Sequence, residues 1–279
     1  MLFSKQLFRQ DTTKAIPSQI VKTASKGFMN WVKGQPLVEP EQECIKHNLL
    51  KSPKSYRPHH PIYNLEGIEE ITQTHMMTQS FSEKLALFAV KALRLSFDIG
   101  SGFDKDKMNE KNWLKRCIFL ETVAGVPGMV GGMTRHMQSL RTLSHDHGLI
   151  HHLLDEAENE RTHLFIFLKL EQPGRLFRTL IAISQGLFFN FYFLAYLLNP
   201  RVCHKFVGYL EEEAVHTYSM LLEQLDKGNL EEWACMEAPE LARNYYELPD
   251  NASMRDMILS IRADESIHRD LNHKFAEIL

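Results

Sequence analysis

The stretch Asn159-Glu160-Arg161-Thr162-His163 decides how this chain reads. In a helix, residues three apart occupy successive turns of one face. Glu160 and His163 can therefore aim a carboxylate and an imidazole at one point. The same spacing returns near the end as Glu265 and His268, and in between as Glu213 and His216. With this many Glu and His, about one such pair is expected by chance, and a lone pair is more often a solvated helix face. Chain order and context have to choose among the pairs.

Working outward, residues 149–170 form the helix that carries Glu160 and His163, and Gln172-Pro173-Gly174 ends it. The preceding helix, 110–143, holds Glu121 as a lone acid in the apolar run from Cys117 to Val130. Pro127 should kink it, and Gly125, Gly128, Gly131 and Gly132 permit close helix contact. Arg135, His136 and Arg141 follow on a candidate subunit interface. Further upstream, Ser82 and Glu83 open a helix reaching about Phe97. Its apolar surface (Leu85, Phe88, Ala89, Ala92, Leu93, Phe97) is edged by Lys84, Lys91 and Arg94, which suits an anionic membrane interface as well as a core.

Leu180 to Leu198 is uncharged and rich in Phe and Tyr, flanked by Arg175, Arg178 and Arg201. At about 1.5 Å per residue it could just span ~30 Å of hydrocarbon. Glu160 precedes this run and the next acidic candidate follows it, so one crossing would put them on opposite sides of a bilayer. If both serve one site, the run lies in one leaflet or packs inside the protein. The next helix, from about Pro200 to Leu225, places His204, Glu211 and Tyr218 seven residues apart, hence on one face. A last helix, from about Ser253 to Phe275, carries Asp264, Glu265 and His268.

In order, the acidic candidates are Glu121, Glu160 with His163, Glu211, and Glu265 with His268. This is the ligand pattern of ferritin-like di-iron bundles, two Glu-x-x-His pairs and two lone glutamates. It predicts an all-α fold, a four-helix bundle with two additional membrane-associated helices. Glu213 and His216 would break the alternation, and His216 is therefore expected not to bind metal. Four carboxylates facing one core would cost several kcal/mol per unpaired ion, and two divalent cations would balance them. Carboxylate and imidazole donors without thiolate suit iron or manganese. Asp264, four residues before His268, is expected to accept from that ring's other nitrogen. Asn159 is a further amide beside the site.

Composition bounds the rest. The 279 residues are 44% hydrophobic with a net charge of −3, which supports a real core and no basic nucleic-acid surface. Cys44, Cys117, Cys203 and Cys235 form neither a zinc spacing nor a disulfide framework. Residues 1–33 are basic, hydroxylated and acid-poor, like an organelle transit segment. Residues 34–80 open with a proline-dense stretch and read as an extended arm. Residues 81–279 then form the helical bundle domain.

Four boxes carry a resemblance: Leu120-Glu121-Thr122, Asn159-Glu160-Arg161-Thr162-His163-Leu164, Leu210-Glu211-Glu212-Glu213-Ala214 and Arg262-Ala263-Asp264-Glu265-Ser266-Ile267-His268. In this order they resemble the signature boxes of the alternative oxidases, over about residues 80–279. The resemblance implies a cyanide-insensitive ubiquinol oxidase with two iron ions. It implies a homodimer lying in one leaflet of the mitochondrial inner membrane, on the matrix side, through the helices at 85–97 and 180–198. It also implies that Tyr218 is the redox-active tyrosine and that His204 and Asp264 belong to its polar network. Arg94, Arg116, Cys117, Glu213 and Thr217 would surround the quinol. Where the family has Tyr-Trp this chain has Tyr245-Tyr246, so a phenol at Tyr246 would have to replace the indole bond to Asp264. His216 stands where the family has an apolar residue.

The implied reaction takes four electrons from two quinols, reduces dioxygen to two waters, pumps no protons and releases the energy as heat. A plastid plastoquinol oxidase would share the fold. An iron-storage or iron-sensing bundle would share the donor set but predicts a soluble surface, against the apolar run at 180–198. A membrane-bound di-iron hydroxylase would oxygenate its substrate instead.

Overall fold

The computed structural model describes residues 62–279. The expected transit segment and the arm up to residue 61, with Cys44, lie outside the described residues. Among the described residues there is no strand, only an isolated bridge between Glu237 and Ser253. The helices are α1 (Leu65–Glu69), α2 (Phe81–Ser101), α3 (Glu110–Thr142), α4 (Leu149–Leu170), α5 (Arg175–Leu198), α6 (Pro200–Asp226), α7 (Glu231–Ala234), α8 (Glu240–Tyr246) and α9 (Met254–Ile278). The fold is an all-α four-helix bundle of α3, α4, α6 and α9. Consecutive α3 and α4 pair with each other, as do α6 and α9.

Local chemistry sets the boundaries. Ser80, two residues earlier than the sequence suggests, caps α2 in a reciprocal box with Glu83. Ser253 and Asp256 do the same for α9. Asn199 caps α6, and Pro200 takes the first helical position, where a missing N–H costs nothing. The 62–80 portion of the expected extended arm contains the helical turn α1, because Asn64 accepts from the Glu66 N–H and starts it.

Pro127 sits inside α3 with Val126 and Val130 buried around it. At Gly128, α3 meets α4 so closely that an added Cβ would lie 2.5 Å from the Leu153 carbonyl oxygen. Tyr192 and Tyr196 of α5 pack on Val126 and Val130 of α3 and on Cys203 and Val207 of α6. The opposite face of α5 is bare: Leu187, Phe191, Leu194 and Leu197 are exposed, as are Leu85, Phe88 and Leu95 of α2. Both α3 and α5 are long and apolar enough to cross a membrane. Over the apolar window, α3 is 56% buried in the protein and α5 only 17%. Within residues 172–179, Arg178 donates from Nε to the Pro173 carbonyl at 2.8 Å and from Nη2 to Gln172 at 3.0 Å.

Candidate metal centre

Each bundle helix turns one acidic position inward at the same level. Donor atoms of Glu121, Glu160, His163 and Glu265 lie within 4.8 Å of one another, and so do those of Glu160, Glu211, Glu265 and His268. Glu160 and Glu265 belong to both sets. The two sets therefore overlap at these two carboxylates. All six side chains are buried.

The imidazoles face inward through Nδ1. His163 Nδ1 is 3.4 Å from both Glu121 Oε2 and Glu265 Oε1. His268 Nδ1 is 2.8 Å from Glu160 Oε1, without hydrogen-bond alignment. Glu121 Oε2, both Glu160 oxygens, Glu265 Oε2 and the Nδ1 atoms of His163 and His268 are all buried without a hydrogen-bond partner. Native interiors pair such atoms almost without exception. A set of orphaned polar atoms converging from α3, α4 and α9 is what bound cations would satisfy, and the residues fit such a group.

The electrostatics agree. Burial, then the Glu160 charge, holds the Glu121 carboxyl well above the usual range, and burial with Glu265 does the same to Glu211. Burial opposes ionisation of Glu160 too, but His163 and His268 outweigh it and hold that carboxyl below the usual range. The protein's own cations thus stabilise only part of the acidic charge. Divalent ions would stabilise the rest.

Asp264 corrects one expectation. Its Oδ2 lies 2.9 Å from His163 Nε2, so its imidazole partner is His163, not His268. A carboxylate only accepts, so Nε2 carries a proton, and a bound cation would take the Nδ1 lone pair. Asn159 Nδ2 donates to the same oxygen at 2.9 Å and Tyr246 at 2.8 Å. The phenol at Tyr246 thus reaches Asp264. On the other side, the Tyr218 hydroxyl donates to Glu121 Oε1, and burial followed by the Glu121 charge keeps that phenol protonated. His216 instead bonds Gln73, away from the centre.

A cavity of about 400 Å³ reaches the group from α2 and α5. Its walls include Phe97, Phe188 and Phe206, and it touches Glu121, Glu160, Glu211 and Glu265 as well as Tyr218. Arg94, Cys117, Glu213 and Thr217 line it. Arg94 Nη1 donates to Glu213 and Thr217, both at 3.0 Å. Arg116 does not line it. Its guanidinium lies over the Phe97 and Phe103 rings and bonds Asp98 at 2.6 Å, and Asp98 in turn holds Arg94 at 2.8 Å. Arg116 acts from behind the wall.

The sequence reading missed two parts. Buried Glu156, one turn before Glu160, accepts from Asn272 at 2.8 Å, and Asn272 accepts from His204 at 2.9 Å. Tyr196 contacts the other nitrogen of His204 at 3.0 Å. Burial pushes Glu156 up to about 7 and His204 down to about 4, so this layer is held by hydrogen bonds more than by charge. The i−4 spacing of Glu156 from Glu160 was the available signal. Tyr63, whose hydroxyl donates to Asp264 Oδ1, gave no local signal at all.

The alternative oxidase family model matches residues 63–277. The mitochondrial alternative oxidase of Emericella nidulans is 46% identical over 230 residues, covering 78% of this chain and 65% of that protein. That of Botryotinia fuckeliana is 41% identical over 297 aligned positions, covering 99% of this chain and 81% of the relative. Alternative oxidase 2 of Candida albicans is 46% identical over 85% of this chain and 69% of its own length. The chain thus spans somewhat less than two thirds of the length of the first of these relatives. A match that begins at Tyr63 and runs through α9 takes in the whole inward-facing Glu/His group, and this chain belongs to the alternative oxidase family.

Proposed function

We propose that the chain is a non-proton-pumping ubiquinol:oxygen oxidoreductase that holds two iron ions with Glu121, Glu160, His163, Glu211, Glu265 and His268. The observation that carries this reading is the apolar cavity between α2 and α5, which has the four inward glutamates at its inner end. Iron bound there would take electrons from quinol and reduce dioxygen, with two quinols giving two quinones and two waters.

The chain's own residues admit, orient and handle protons. The aromatic walls suit a quinol ring and exclude water. Arg94, Glu213, Thr217 and Cys117 offer the few polar atoms that would bind the headgroup, and Asp98 with Arg116 keeps Arg94 extended. Tyr218 holds its proton on the hydroxyl that faces Glu121, in position to serve proton and electron transfer between cavity and centre. Asp264 keeps the His163 lone pair turned inward.

Exposed Phe88, Leu95, Phe191 and Leu194 support insertion of α2 and α5 into one leaflet. A quinol with a long apolar tail would enter from there. With the centre on one side of the membrane, no charge crosses it. The relatives' names and the basic N-terminal composition support a mitochondrial location, and the family resemblance implies the inner membrane, on the matrix side. Exposed Met133, Met137 and Leu140 on α3, with Leu154 on α4, support a homodimer.

The test is quinol-dependent oxygen uptake by purified protein, with metal analysis. We expect two irons per chain and uptake that needs both iron and detergent or lipid. Iron-loaded protein that leaves quinol unoxidised overturns the reading. Tags near Glu171 and Asn229 should be reached from the same side of sealed vesicles, and opposite accessibility would refute the in-leaflet placement.

A further inference from the structure

We propose that Tyr63, on the approach to the bundle, is a positioning residue for the metal centre: its hydroxyl tethers Asp264 and, through Asp264, fixes the imidazole of His163. The inference rests on the metal-binding reading above.

Asp264 divides its two oxygens between two tasks. Oδ2 meets His163 Nε2 at 2.9 Å, with Asn159 and Tyr246 bonded to the same atom. Oδ1 accepts from Tyr63. A carboxylate turns easily about its last torsion, whose energy is broad. A tether on Oδ1 stops that rotation and keeps Oδ2 aligned with the imidazole. His163 then presents Nδ1 to Glu121 and Glu265 with no hydrogen bond claiming that atom. Burial and the Asp264 charge keep the Tyr63 phenol protonated, so it remains a donor.

Tyr63 is 201 residues from Asp264 in sequence, so something must hold it there. Helix α9, which carries Asp264, Glu265 and His268, does so with three arginines seven residues apart on one face. Arg255 pairs with Glu69 at 2.6 Å. Arg262 donates to the Ile68 and Glu69 carbonyls at 2.9 and 3.1 Å, and Arg269 to the Thr72 carbonyl at 3.4 Å. Glu212 of α6 accepts from the Met76 N–H at 2.9 Å. The segment leading into α2 is thus bolted to the helix that supplies half the paired donors. It is part of the centre, not a peripheral strap.

Partners of metal-binding imidazoles change affinity by about 10–100-fold when removed. The test titrates cobalt(II) into the full chain after chelation, reading affinity and visible absorption, with thermal melts of the metal-free proteins alongside. The parent should bind two cobalt ions per chain, and failure there removes the metal reading itself. Tyr63→Phe should melt like the parent but hold one ion about 10-fold more weakly, with an altered absorption band. In an Asp264→Asn background, the same Tyr63→Phe change should add nothing. Parent-like affinity and absorption in Tyr63→Phe overturn the proposal, as does an undiminished loss in the Asp264→Asn background. Should Asp264→Asn not fold, the affinity and absorption of Tyr63→Phe decide alone.

Discussion

The two flanks of the Glu/His group are built on opposite plans. Toward α2 and α5 the walls are aromatic and aliphatic, and Tyr218 on Glu121 is the polar contact at the inner end. Toward α8 and α9, one carboxylate receives Tyr63, Asn159, Tyr246 and His163 together. A flank that admits a reactant must stay sparsely bonded, because every internal bond there would compete with the incoming molecule. A flank that holds an imidazole still gains from every donor it can collect, since orientation improves with each constraint.

This contrast can be broken in graded steps. The largest effect belongs to the residues shared by both flanks. Glu160→Ala or Glu265→Ala removes an anion from both donor sets, so on the proposed function iron should fall well below two per chain and oxygen uptake should vanish. Normal iron and turnover in either variant would dissolve the ligand assignment and the two-flank description with it. Next is Tyr218→Phe, on the sparse flank. It should keep its iron, while turnover falls a hundredfold or more, at least ~2.7 kcal/mol of barrier. Near-parent quinol oxidation would make that phenol packing alone. The smallest effect is on the saturated flank. Tyr246→Phe leaves Asp264 with its other donors, so denaturant melts of the metal-free protein should shift by about 1 kcal/mol. A loss of ~3 kcal/mol or more would show that this phenol dominates the network.

The same contrast explains what could be read from the sequence. Glu160 with His163 and Glu265 with His268 were legible because helical periodicity converts spacing into direction, and their alternation with Glu121 and Glu211 chose among competing pairs. Glu211 was separated from Glu213 by the face it shares with His204 and Tyr218. Periodicity speaks only within one helix, and there the reading failed. Asp264 was given to His268, its neighbour on α9, whereas the ring it meets is His163 on α4. The resemblance put Arg116 around the quinol, and its guanidinium sits on Asp98 behind the cavity wall, since it points about 100° away from Cys117 on the same helix. Tyr63 reaches Asp264 from beyond any helical repeat. Tyr246 came into view only through the resemblance, as a phenol in place of the family's indole, and it does reach Asp264.

Gly128 carries a consequence of a different order. An added Cβ there would meet the Leu153 carbonyl at 2.5 Å and the Ala157 amide nitrogen at 3.1 Å, while one at Gly125 would sit 3.5 Å from the Cβ of Glu160. Backbone cannot yield as a side-chain tip can, so a single methyl at 128 would wedge α3 away from α4. Glu121 and Glu160 ride on those two helices, and their reach toward a common ion is set by the gap. The glycines act as a machined clearance: missing side chains fix the tolerance to which the opening between Glu121 and Glu160 is cut.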